Sequence, residues 1–197
     1  MNPLFSIGHS AHSIEAFLQL LTHNQIEAVA DVRSQPYSRT FPCFSQQPLE
    51  LSLKSVGIHY VFLGRELGAR REERECYLGN TISFDLVAAT PAFARGIARL
   101  QEGLIQYRVA LLCAEKEPLD CHRTILVARH AACFAKISHI LADGRLEAHE
   151  ETENRLLERY GWSEDDMFRS HESRLAAAYA RRGSEIAWTE SDHKDSV

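Results

Sequence analysis

Eleven residues, Cys113 to Arg123 (CAEKEPLDCHR), hold two thiols, an imidazole, a guanidinium and several carboxylates directly after the apolar run VALL. Such a set can ligate a metal, present a nucleophile or redox pair, cradle an anion, or form a charged turn between two buried elements. Spacing separates these readings. Structural zinc sites favour four ligands in closely spaced pairs. The stretch offers only Cys113, Cys121 and His122, with no CxxC and no second Cys/His pair, so no metal is expected. A phosphatase or sulfurtransferase loop also begins at a cysteine after a strand and ends at an arginine on a helix. Those loops are short and glycine-rich, whereas Cys121 comes eight positions after Cys113, with Pro118 and no glycine between them. An anion-binding or acid/base site led by His122 and Arg123 remains, beside the plain structural turn.

Local chemistry assigns roles within this stretch. Asp120 reads as the N-cap of a helix whose first turn holds Cys121, His122 and Arg123. A thiol there feels the positive end of the helix dipole and a neighbouring cation, so Cys121 is a thiolate candidate. Cys113 is either a nucleophile presented at a strand end or an inert buried thiol, and Glu115 reads as a general acid or base. Substitution of Arg123 by alanine is expected to abolish ligand binding and leave the fold intact.

Two more clusters share this character. Gly8, His9 and Ser10 (GHS) put a small backbone and an imidazole at a strand end, where N–H groups approach an anion and His9 exchanges protons near neutrality. A tight turn with Ser10 or Ser13 capping the next helix is the alternative. In DVRSQPYSR, Asp31 is followed by Arg33, Ser34, Ser38 and Arg39, with Pro36 stiffening the loop. Two guanidinium forks and two hydroxyls suit a phosphate or carboxylate; alternatively Arg33 pairs with Asp31 or holds carbonyls of its own loop.

The elements that must position these clusters follow from short apolar runs and amphipathic stripes. PLFSIG (3–8), IEAVADV (26–32), HYVFLG (59–64), YRVALLCA (107–114) and ISHIL (137–141) read as strands. Residues 13–24, with Ser13 as N-cap, 48–57, 91–103 and 121–135 read as helices. Strands alternating with helices imply right-handed crossovers and a three-layer α/β domain: a mainly parallel sheet with helices on both faces and extra C-terminal helices. In such sheets ligands bind beyond the carboxyl ends of the strands. The three clusters, LGRELG after the third strand, and Asp143 with Gly144 after the fifth all lie there.

One α/β domain is expected over residues 1–183, with 64–89 as an insertion or lid too polar for the core. Helices are expected over 150–183, the later one opening on a capping box of Ser163 and Asp166. A short strand and a disordered tail are expected over 184–197. A chain of 197 residues buries roughly 70% of its unfolded surface in one core. A net charge of −5 disfavours an extended basic surface without excluding a local anion site. The start MNPLFSIGHS has no leader pattern and no run reaches membrane-spanning length. A cytoplasmic protein is expected, its five cysteines reduced, with Cys43, Cys76 and Cys133 as packing residues.

SIGHS, DVRSQPYSR, HYVFLGRELG, ALLCAEKEPLDCHR and SHILADGRLEAHE, followed by DMFRSHESRLAAAYARRGSEIAW, resemble in this order the bacterial and archaeal family called domain of unknown function 488. The resemblance covers nearly the whole chain. It implies a fold and a motif set but no reaction and no cofactor. The DNA-repair label that some members carry implies a nucleotide or nucleic-acid partner. The family often has paired glycines where this chain has LGRELG, so backbone approach in that loop is expected to differ.

The reading reached from residues and resemblance together is an enzyme acting on a phosphate-bearing ligand, a nucleotide or nucleic-acid end. Gly8, Ser10, Asp31, Arg33, Ser34, Ser38, Arg39 and Arg123 form its binding set, and His9, Glu115, Cys113, Cys121 and His122 its catalytic set. Alternatives are a non-catalytic nucleic-acid-binding or repair-accessory module, which requires a contiguous basic groove, and a thiol redox or metal-binding protein.

Overall fold

The computed structural model describes residues 1–163 and 168–190. Five short apolar runs form the parallel strands β1 (Leu4–Gly8), β2 (Ala28–Asp31), β3 (His59–Phe62), β6 (Val109–Cys113) and β7 (Ile137–Ile140). β1, β2 and β6 are buried throughout, as strands covered on both faces must be. A sixth strand, β8 (Leu146–Ala148), pairs antiparallel with β7, giving the order β3-β2-β6-β1-β7-β8. The protein is a three-layer α/β fold.

Helices α1 (Ile14–His23) and α2 (Gln46–Ser55) cover one face. There Phe17, Leu21, Leu49 and Leu53 pack on Phe5, Ile7, Val29, Ala110 and Leu112. Helix α1 begins where Ser13 accepts a hydrogen bond from the backbone of Ala16, the N-cap expected of it. The other face carries α5 (Pro91–Gln106) and α6, which is π-wound over Arg123–Ala128 and α-wound over Arg129–Ala131. It also carries the C-terminal helices α7 (His149–Arg159) and α8 (His171–Ile186). On this face Leu4, Ala30, Val109 and Leu111 meet Leu100, Ile125, Leu157 and Ala178.

The strand order creates one switch point. From β1 the chain crosses β6 to reach β2 and α1 lies on one face; from β6 it crosses β1 to reach β7 and α6 lies on the other. The loops leaving these neighbours therefore diverge and open a crevice between them, the place where open α/β sheets hold ligands. Gly8 of β1 stands in register with Cys113 of β6, so the GHS and CAEKEPLDCHR clusters start side by side.

Two expectations about the chain are corrected. Residues 64–89 are not excluded from the core. They form α3 (Gly64–Leu67), a 3-10 turn (Arg74–Cys76), the hairpin β4 (Tyr77–Leu78) and β5 (Thr81–Ile82), and α4 (Phe84–Ala88). Leu67, Cys76, Ile82, Phe84 and Val87 are buried in the larger core, while the charges of ARREERE mask them in any averaged hydropathy. The expected strand at EIAWTE is instead the end of α8 through Ile186, after which Thr189 makes a single bridge to Thr81. The N-cap of α8 is Ser170; Asp166 and the tail from 191 lie outside the described residues. Among the described residues no helix is long and apolar enough to cross a membrane.

Candidate functional site

A crevice of about 760 Å³ opens at the switch point. Its walls come from the loops after β1, β2, β3 and β6, with Phe84 and the segment Ile186 to Trp188 closing one side. Asp143 and Gly144, after β7, are not part of it; Asp143 pairs with Arg145 in solvent.

One wall carries the dense chemistry. A 3-10 turn, Pro118–Asp120, folds the chain back after β6, so that Cys121 returns to the side of Cys113. Cys121 Sγ lies 3.0 Å from Glu115 Oε2. His122 Nδ1 lies 3.6 Å from Cys113 Sγ and 4.0 Å from Cys121 Sγ. His122 Nε2 donates to the Val32 carbonyl at 2.9 Å, which leaves the lone pair of the neutral ring on Nδ1, facing both sulfurs. Asp120 is not the cap of α6. Its carboxylate accepts from Arg182; His122 is the N-cap, and Cys121 before it ends the 3-10 turn with extended backbone, φ −138 and ψ 140. The Cys121 carbonyl accepts from Thr124 and Ile125, and its sulfur accepts from the backbone N–H of Arg123 at 3.4 Å.

The electrostatics follow from this packing. Loss of water raises both thiols, and Cys113 goes well above its ordinary range. For Cys121 the hydrogen bond from Cys113 and the Arg123 charge outweigh burial and hold it down at about 6. Desolvation also works against the Glu115 carboxylate, but hydrogen bonds from the two thiols hold it at about 2. Glu115 is thus a carboxylate near neutrality. Burial lowers His122, yet its contact with Cys121 leaves it raised overall.

His9 also lines the crevice, its backbone N–H on the Cys113 carbonyl. It stacks on Phe44 with ring centroids 4.4 Å apart, and its Nδ1 donates to the Ser10 carbonyl at 3.0 Å, so Nε2 keeps the lone pair. Burial lowers its pKa and keeps it neutral.

The expected anion cradle is reassigned. The N–H groups of His9 and Ser10 donate to the Cys113 and Ala114 carbonyls and are not free for a ligand. Arg33 gives its fork to Asp31, at 2.6 to 3.2 Å, and Nη1 to the Phe44 carbonyl. Ser34 and Ser38 cap their loop by accepting from the backbones of Arg70 and Phe41. Arg39 is exposed and outside the crevice lining. Arg123 is fully buried, away from the lining, and donates to the Glu115 and Lys116 carbonyls. It clamps the loop that carries Glu115, so its removal is expected to cost stability, against the expectation of an intact fold. LGRELG does allow close approach: a Cβ on Gly64 would sit 2.0 Å from the Arg33 carbonyl oxygen.

Sequence reasoning missed what holds Arg123. Its Nε donates to Ser6 Oγ at 3.4 Å, and Ser6 lies 2.7 Å from His139 Nδ1. His139 Nε2 lies 3.0 Å from His149 Nδ1, His149 Nε2 lies 3.2 Å from the Tyr179 hydroxyl, and that hydroxyl donates to Glu153. One proton direction satisfies every link, from Arg123 through to Glu153, with both histidines neutral. Their pKa values are lowered by burial, that of His139 further by the charges of Arg123 and Arg155. An unfolded histidine takes up its proton near pH 6.5. Stability is therefore complete above that pH and falls as pH drops below it, by about 1.4 kcal/mol per pH unit for each proton that only the unfolded chain binds. In urea titrations between pH 6.5 and 5, His139→Gln is expected to flatten this fall by roughly one proton's slope; an undiminished slope contradicts the assignment.

Fold and crevice together define an open, mainly parallel α/β protein with a ligand-sized cavity at its switch point and a thiol, imidazole and carboxylate wall. The chain belongs to the family described as Domain of unknown function DUF488, whose model matches residues 13–130, the span from the start of α1 into α6. No curated protein and no solved structure matches it.

Proposed function

We propose that the chain is an enzyme whose reaction takes place in the β1–β6 crevice on a phosphate-bearing ligand, a nucleotide or a nucleic-acid end. The observation that carries this reading is the convergence of Cys113, Cys121, His122 and Glu115 on one wall of an open cavity. Buried thiols kept only for packing do not need a carboxylate and an oriented imidazole within hydrogen-bond reach. Glu115 is the base of the reacting wall, and His9 is a second proton acceptor in the same crevice. With Arg33 and Arg123 engaged elsewhere, Arg70, set over Trp188, is the cation left to meet an anion at the mouth. Tyr37 and Phe41 offer flat apolar surface beside it.

The non-catalytic groove reading has less support. The lining places the carboxylates of Glu115 and Asp120 among its arginines instead of a run of cations.

A panel of nucleotides and phosphoesters, followed by turnover and by melting temperature, tests the proposal. Glu115→Gln is expected to cut turnover by about 10²- to 10⁴-fold, the usual contribution of a positioned base. Arg70→Ala is expected to raise KM by about two- to fivefold, an exposed ion pair's worth, while the melting temperature of the free protein stays put. No turnover and no ligand-induced stabilisation across the panel, or full turnover in Glu115→Gln, would refute it.

A further inference from the structure

On the reacting wall Cys121 Sγ donates to Glu115 Oε2 at 3.0 Å. The donor atoms of Cys113, Cys121 and His122 lie within 4.8 Å of one another, and two of the three edges are 3.6 and 4.0 Å. A tetrahedral zinc ion, with bonds of about 2.3 Å to sulfur and about 2.0 Å to nitrogen, places sulfur and nitrogen about 3.6 Å apart. The wall is already near that size.

His122 also has the attitude of a ligand. Its Nε2–H is fixed on the Val32 carbonyl, which aims the Nδ1 lone pair between the sulfurs, the outer contact that metal-bound histidines use. The frame is stiff, since Cys113 ends β6, and Cys121 and His122 join the 3-10 turn directly to α6.

We propose that Cys113, Cys121 and His122 form a divalent-metal site, zinc by its ligand set, with the fourth position open to the crevice and Glu115 beside it. Two soft thiolates and an imidazole select zinc over magnesium, calcium or manganese. Three protein ligands with an open position is the catalytic arrangement. Resting on the enzyme reading above, the site makes the reaction a hydrolysis. Glu115 takes a proton from the metal-bound water, and the hydroxide oxygen bonds to the electrophilic centre of the ligand. The bond to the leaving group breaks, and the leaving group takes the proton from Glu115. The eight-position spacing that argued against zinc in the sequence is closed by the Pro118–Asp120 turn.

The test uses the full chain, reduced and stripped with chelator. Zinc is titrated against a chromophoric competitor, and cobalt is followed by its absorption. One equivalent per chain is expected, with tetrahedral cobalt bands, a sulfur-to-cobalt charge-transfer band, and release of thiol protons. Cys121→Ser and His122→Ala each weaken binding by at least about 100-fold, because losing an outer partner alone costs 10- to 100-fold. Cys43→Ser and Cys133→Ser leave it unchanged. Should the cluster variants fold poorly, the wild-type protein still decides, since bound zinc must raise its melting temperature. Absence of zinc uptake by the reduced wild type, or uptake that survives the Cys113→Ser, Cys121→Ser double substitution, overturns the site. The enzyme reading fails separately: uptake without turnover sinks that reading and keeps the site, and turnover in stripped protein keeps that reading and overturns the metal's part in the reaction.

Discussion

Arg123→Met is expected to destabilise the protein by about 3–5 kcal/mol, as two or three hydrogen bonds from a charged donor are lost at about 1.5 kcal/mol each. Methionine fills a similar volume but donates nothing. The Glu115 and Lys116 carbonyls, held at 2.6 and 3.3 Å, and the fully buried Ser6 hydroxyl each lose a donor. With a urea dependence of about 1–3 kcal/mol per molar, the unfolding midpoint drops by on the order of 2 M. Arg123→Lys keeps the charge, yet one ammonium cannot span two carbonyls and a hydroxyl, so it recovers less than half of the loss. The variant also releases the loop that carries Glu115. Affinity for zinc and turnover are therefore expected to fall in whatever fraction remains folded, although Arg123 touches neither metal nor ligand. A midpoint within 0.5 M of wild type would remove the clamp from this account.

That clamp marks how the sequence is legible and where it stops. The four inner parallel strands could be read because a strand buried on both faces is a nearly unbroken apolar run, and the strand-end rule then located the crevice. β8 could not: three residues at an edge, with Leu146 exposed, carry no alternation to read. Along the chain, Cys113 and Cys121 are separated by a proline and several charges, and nothing in that spacing shows that a 3-10 turn closes it. Arg33 and Arg123 looked like anion ligands because residue type does not reveal which acceptors are already close. Asp31, two positions before Arg33, was the available hint. The support behind Arg123 did leave a signal. Ser6 within PLFSIG and His139 within ISHIL are polar letters at inward strand positions, and a buried polar group must have a partner.

Gly8→Ala is expected to cost about 3 kcal/mol, at the upper end of the usual range for overpacking. A Cβ there would lie 1.8 Å from the Glu115 carbonyl oxygen and 3.1 Å from Arg123 Nη1. Neither can retreat cheaply: the carbonyl is backbone, and the guanidinium is pinned by that same carbonyl and by Ser6. The sheet cannot slide to relieve the clash either, because Gly8 is paired with Cys113 in a ladder that runs the length of β1. The added methyl must therefore push the loop from Ala114 to Lys116 outward. That motion carries Glu115 away from Cys121 and reopens the metal-sized gap between the thiols, so zinc affinity falls together with stability. Gly103→Ala, inside α5 with Val109 Cγ2 4.0 Å away, provides the contrast. There the methyl meets no obstacle and removes only unfolded-chain freedom, and the protein gains about 0.5–1 kcal/mol. Opposite signs at two buried or half-buried glycines, read from urea midpoints, would show that Gly8 is required for the approach of β1 to the Glu115 loop; a Gly8→Ala protein as stable as wild type, with unaltered zinc binding, would show that the loop is not held where the reacting wall needs it.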